Sequence, residues 1–86
     1  MTERVHETTL SFSYSSASRA RLVARSVDQE VGAIDDDRSE TRLTRDGSTV
    51  ELTIDAADLT ALRAAANTWL TLVDVAERTQ SIAAAD

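Results

Sequence analysis

Asp46-Gly47 lies between two runs of alternating apolar and polar residues, and nothing else in the chain constrains its fold so tightly. An Asp-Gly step in that setting signals a tight β-hairpin, because glycine supplies the positive φ that short hairpin turns require. On one side, Ser39 to Arg45 alternates, with Thr41 and Leu43 expected inward. On the other, Val50, Leu52 and Ile54 share one face, and Thr49, Glu51 and Thr53 the opposite one. The middle of the chain is therefore expected to be an antiparallel strand pair with one apolar face.

The segment after the hairpin reads as a helix. Asp55 is expected to N-cap it, with Asp58 placed where an acid favours a helix N-terminus. Leu59, Leu62, Ala66, Trp69, Val73 and Ala76 recur at three- and four-residue steps, and this stripe is expected to cover the sheet. Ala61, Ala65, Thr68, Leu72 and Val75 form a second, smaller stripe. A helix apolar on two sides is expected to face its own sheet and a partner. Leu22, Ala61, Ala65, Leu72 and Val75 are thus the candidate partner-binding patch, with Leu22 contributed by an earlier helix. Residues from about 81 to 86 read as a frayed tail.

Ahead of the hairpin, residues 4–14 alternate. His6, Thr8, Leu10, Phe12 and Tyr14 point one way; Glu7, Thr9, Ser11 and Ser13 point the other. Ser15 and Ser16 offer an N-cap for a helix running to about Val31, with Ala17, Ala20, Val23, Ala24, Val27 and Val31 as its apolar stripe. Gly32 to Arg38 reads as a loop. Its Asp35-Asp36-Asp37 lacks the alternating acids and the glycine of a calcium loop, so a solvated acidic loop is expected.

The order β-α-β-β-α makes the first two strands parallel in direction, with the third running back. Placing the third strand between them makes every neighbour antiparallel, and the right-handed crossover rule puts both helices on one face. The expected fold is a two-layer α+β domain, a three-stranded antiparallel sheet in order 1-3-2 under two helices, spanning residues 1–86. Such a sheet has two open edges. The first strand carries Thr and Ser, not defensive charges, so two copies are expected to dimerise through strand edges or through helices, with the first strand favoured.

The chain has 86 residues, enough for a single small domain that buries only about 60–65% of its unfolded surface, so its stability is marginal. It has no cysteine, and its one histidine, His6, cannot build a metal site alone. No metal or cofactor is expected, and oligomerisation is the remaining extra source of stability. The net charge is −6, and all nine basic residues are arginine. An acidic, lysine-free surface reads as adaptation to high salt, where a Debye length of about 3 Å mutes self-repulsion. A haloarchaeal, cytoplasmic protein is expected. No stretch is long and apolar enough for a membrane helix, and the N-terminus does not read as a signal peptide.

The C-terminal half carries a resemblance. The run Leu52-Thr53-Ile54-Asp55-Ala56-Ala57-Asp58-Leu59 followed by Thr60-Ala61-Leu62-Arg63-Ala64-Ala65-Ala66-Asn67-Thr68-Trp69-Leu70 resembles the small subunit of the KEOPS complex, the CTAG/LAGE-like family. That family has a strand ending in an acid-Ala-x-Asp-Leu turn and a helix beginning Ala-Leu-Arg-Ala-x-x-Asn-Ser. Asp58, Leu62, Arg63 and Asn67 match; Thr68 stands where Ser is usual. The resemblance implies a non-catalytic, homodimeric subunit. It would bridge copies of the catalytic threonylcarbamoyltransferase, which modifies the tRNA adenosine next to the anticodon, and tRNA would be met through the complex.

The residues themselves show no Gly-rich phosphate loop and no nucleophile with an adjacent base, so an enzyme is not expected. The alternative is a stand-alone RNA-binding module. Such modules display aromatics on an open sheet face, which this pattern does not supply. Arg19, Arg21 and Arg25 on the first helix, with Arg42 and Arg45 on the hairpin, are candidate phosphate contacts for tRNA in an otherwise acidic chain.

Overall fold

The computed structural model describes residues 6–33 and 38–85, with side chains to residue 79. Five elements occur in order: β1 (His6–Ser13), α1 (Ala17–Asp28), β2 (Ser39–Asp46), β3 (Thr49–Ala56) and α2 (Leu59–Ala85). The strands form one antiparallel sheet in the order β1-β3-β2, as the sequence pattern predicts. The acidic triplet 35–37 and the start of the first alternating run, residues 4 and 5, fall outside the described residues.

Register explains the two faces. Leu10, Leu52 and Leu43 align in one row; Thr8, Ile54 and Thr41 align in the next. These rows face the helices, and Val50, Leu52, Ile54 and Ala56 of the central strand are fully buried there. The opposite face carries the rows Glu7-Asp55-Glu40, Thr9-Thr53-Arg42 and Ser11-Glu51-Thr44. No aromatic side chain lies on that polar face among the described residues.

The hairpin turn uses Gly47 and Ser48, since Asp46 and Thr49 are the last paired residues. Gly47 has φ +60, and Ser48 is not in the positive region, the pattern of a type II′ turn with glycine first. Asp46 thus ends β2, and the Asp-Gly pair does not form the loop itself.

Both helices begin where a side chain can cap them, but one cap differs from expectation. Ser16 Oγ accepts the Arg19 N–H at 3.1 Å and starts α1, as its spacing predicts. For α2 the expected cap, Asp55, instead lies inside β3, because Asp55 pairs across the strands with Glu7 and Glu40. Asp58 is the cap: its Oδ1 accepts the Ala61 N–H at 2.8 Å. That backbone bond, and then the Arg38 guanidinium, hold the Asp58 carboxyl below its ordinary pKa. The Arg38–Asp58 pair also fastens the start of β2 to the start of α2.

Two helix ends depart from the sequence pattern as well. α1 stops at Asp28, and two tight turns carry the chain to Val31 before Gly32 at φ +89. α2 continues to Ala85, past the frayed tail expected from residue 81, because its last turns contain alanine and no helix breaker. At 27 residues α2 is about 40 Å long, whereas an eight-residue strand spans about 27 Å. It therefore overhangs the sheet, and the molecule measures 48 Å along its long axis.

Val23 and Val27 of α1, Leu52 and Ile54 of β3, and Ala65, Trp69, Val73 and Ala76 of α2 form the core. Leu10, Phe12, Leu43, Leu62, Ala66 and Leu72 pack around it. Burying each large apolar side chain contributes about 1.5–3 kcal/mol.

Candidate functional site

Hydrogen bonds to the strands fix how α2 is rotated. Tyr14, just beyond β1, donates from its hydroxyl to Glu77 Oε2 at 2.6 Å. Burial, then this carboxylate, raises the Tyr14 pKa. On the other side, Ala61, Ala64 and Thr68 share a shallow cleft with Arg38 and Ser39 at the start of β2. Glu77 lies on the same α2 stripe as Leu59, Ala66 and Leu70, at helical spacings of seven and four residues. That stripe therefore faces the β1 edge, and the Ala61–Thr68 stripe faces β2.

This orientation corrects the candidate partner patch. Ala65 is buried at 5% exposure, within the core. Leu72 is half-buried and packs on that core, so neither residue lies free of an internal role. The sheet beneath α2 is broader than one stripe: Trp69 reaches β2 while Glu77 reaches Tyr14 just beyond β1, so the helix covers the sheet with a wide arc. Ala61 is half-buried in the cleft beside β2. Leu22 and Val75 are exposed, at 47% and 52%. Conversely, Leu59, expected on the sheet-facing stripe, is 52% exposed, because it sits at the first turn and at the edge of that arc.

Sequence reasoning missed Leu70, which is 46% exposed. It lies off both stripes counted from the sequence. Its signal was present, since Leu59, Ala66 and Leu70 recur at seven and four residues. Only knowledge of which way α2 faces gives that recurrence meaning.

Asp58 and Leu62, of the resemblance motif, have structural duties as cap and core-edge packing. Arg63 and Asn67 both lie exposed, one turn apart on α2.

The arginines separate into different places. Arg42 lies on the polar sheet face, its Nη2 3.5 Å from both Glu7 and Asp55. Arg19 is half-buried near Tyr14 and adds a favourable charge there. Arg21 and Arg25 of α1 share a groove with Arg45, Leu43 and Thr44 of β2. Among the described residues no cluster of His, Cys, Asp or Glu could hold a metal ion. No helix there is long and apolar enough to cross a membrane.

The fold defines the class of protein: a two-layer split β-α-β domain with an open polar sheet face and an overhanging C-terminal helix. A family model described as "Transcription factor Pcc1" matches residues 7–81. The chain belongs to the Pcc1 family and is a Pcc1-like KEOPS subunit, in agreement with the resemblance carried by residues 52–70. A chain of a crystal structure described as a binary Gon7–Pcc1 complex superposes with a TM-score of 0.81 at 10% identity. The match covers 93% of this chain and 98% of that one, and at this identity it speaks for the fold alone. No curated protein matches the sequence.

Proposed function

We propose that this chain is the dimerising, non-catalytic subunit of a cytoplasmic KEOPS assembly that modifies the tRNA adenosine beside the anticodon. Two copies would join through β1 and bridge two catalytic threonylcarbamoyltransferase subunits. The observation that carries the dimer is the pairing of an undefended strand edge with an exposed apolar helix flank on the same side. β1 from Thr8 to Ser13 holds no charge, whereas β2 carries Glu40, Arg42, Arg45 and Asp46. Charged edge strands resist pairing with another chain; uncharged ones invite it. Leu59 and Leu70 stand on the α2 flank above that β1 edge.

Magnitudes favour strand and helix acting together. The two leucines of each copy, already about half covered, would contribute about 3–6 kcal/mol across the dimer once fully buried. Association costs about 4–15 kcal/mol, so the leucines alone do not hold micromolar pairs firmly. Backbone hydrogen bonds between the two β1 strands, at about 0.5–1.5 kcal/mol each, supply the remainder and the register. An antiparallel β1–β1 pair would give one six-stranded sheet and set the two α2 flanks side by side.

Leu22 and Val75, exposed on the helix layer, are the proposed contacts for the catalytic subunit. The acidic, lysine-free composition supports a haloarchaeal setting. The test is multi-angle light scattering in high salt, joined to a pull-down with the catalytic subunit. A dimer that retains the catalytic subunit at a fixed ratio is expected. A monomer at micromolar concentration, or no retention, defeats the proposal.

A further inference from the structure

We infer that the groove between α1 and the β2 edge is a binding site for the phosphodiester backbone of RNA, formed by Arg21, Arg25 and Arg45. The inference deepens the tRNA-modification reading and rests on it for the identity of the polyanion.

Convergence is the first argument. Three of the chain's nine arginines come from two separate elements to line one groove of about 280 Å³, in a protein whose net charge is −6. Three exposed guanidinium groups elsewhere are occupied: Arg38 by Asp58, Arg42 by Glu7 and Asp55, and Arg78 by Asp74 at 2.7 Å. Arg21 and Arg25 are exposed and form no ion pair among the described residues. Arg45 donates one Nη1 bond of 2.9 Å to the Gly47 carbonyl, which aims its fork and leaves its other donors available. Asp28 also lines the groove, at its α1 C-terminal end, and opposes an anion there. The pull on a phosphate is therefore strongest toward Arg21, Arg25 and Arg45.

Chemistry selects the ligand class. Guanidinium forks match phosphate oxygens bidentately and remain charged at every working pH. The rest of the lining is Ala24, Leu43 and Thr44, with no aromatic ring on which a base could stack. The groove would therefore read backbone and not sequence. It also lies at the edge opposite β1, so pairing through β1 would leave it open. A β1-joined dimer would carry one groove at each end of its sheet, about 24 Å apart at the usual strand spacing.

The experiment is fluorescence anisotropy of labelled tRNA against the full-length chain, across a salt series that starts at the lowest concentration at which wild type keeps its folded circular dichroism spectrum. Three proteins are compared: wild type, the triple variant Arg21→Gln/Arg25→Gln/Arg45→Gln, and the control Arg42→Gln. Circular dichroism confirms that each is folded. The triple variant should lose affinity and flatten the slope of log K against log salt by about 2–3, at ~0.7–0.9 for each phosphate no longer neutralised. Arg42→Gln should keep the wild-type slope, and an RNA of unrelated sequence should bind like tRNA. An unchanged slope in the triple variant, an equal loss in the control, no tRNA binding by wild type, or competition by polyglutamate but not by RNA would each overturn the site. Light scattering and capture of the catalytic subunit read the dimer and assembly proposal separately, so either can fail while the other stands.

Discussion

Trp69 Nε1 donates a 2.9 Å hydrogen bond to Thr41 Oγ1, and both residues are buried between α2 and β2. The bond joins the last helix to the edge strand farthest from β1, through the largest side chain of the core. It also explains how an indole N–H and a threonine hydroxyl can both sit in an apolar layer without an unmet polar atom.

Trp69→Phe should therefore cost about 1–3 kcal/mol, because it removes this buried hydrogen bond and some core volume while keeping most of the apolar contact. Trp69→Ala should cost about 3–5 kcal/mol, a large part of the stability of a domain this small. Urea titration of both variants measures the difference. A Trp69→Phe variant as stable as wild type would mean that the hydrogen bond contributes nothing beyond packing.

Leu70 and Leu72 are two residues apart on α2 and should behave oppositely. Leu72→Ala removes a half-buried side chain from the core edge and should cost about 1–2 kcal/mol in urea titrations. Leu70→Glu changes an exposed side chain above the β1 edge, so helix content and the unfolding midpoint of dilute protein should hold while the dimer dissociates. Light scattering beside circular dichroism separates the two outcomes. A Leu70→Glu protein that stays dimeric would remove α2 from the interface.

Val75→Glu probes the other exposed surface of α2. The dimer should persist by light scattering, and capture of the catalytic subunit should fall at least about tenfold, the factor that 1.4 kcal/mol of binding energy represents. Undiminished capture would exclude Val75 from that contact.

Glu7 gives a pH dependence with a defined sign. It faces Asp55 across β1 and β3, with Glu40 beyond, and Arg42 is the nearby cation. A hydrogen bond to the Asp55 carboxyl, and then that group's charge, raise the Glu7 pKa above its ordinary 4.5. A raised acid pKa means that the folded chain holds the proton more tightly than the unfolded one. The associated stabilisation is complete below the ordinary value and is lost as pH rises through the folded value. Glu7→Gln should then raise the melting temperature at pH 7 relative to wild type, and the gain should shrink as the pH falls below 4.5. A gain that grew on acidification would reverse the assignment.

The sequence alone determined the elements and their order. Period-two alternation at residues 6–13, 39–45 and 49–54 reports strands with one wet face, and the four-residue recurrence in α1 and α2 reports helices covering the other. Placing the third strand between the first two makes every neighbour antiparallel, which is the order β1-β3-β2 observed, and the crossover hand then puts both helices on one face. The cap at Asp58 was harder to read. Asp55 and Asp58 both suit a helix start, and the choice fell to Asp58 because cross-strand pairing with Glu7 and Glu40 keeps Asp55 in β3.

Tertiary structure alone decided which flank of α2 is free. Helical periodicity gives the angles between side chains but not the angle of the helix about its own axis. That rotation is set by distant partners, Thr41 for Trp69 and Tyr14 for Glu77, 28 and 63 residues away in the chain. They turn Ala65 and Leu72 inward and leave Leu59 and Leu70 outward, over an edge strand whose uncharged stretch from Thr8 to Ser13 is legible in the sequence. The same holds for the arginines, since charge is written in the sequence but convergence is not. Arg21, Arg25 and Arg45 meet only because α1 packs beside β2, whereas Arg42 is turned by strand alternation to the opposite face.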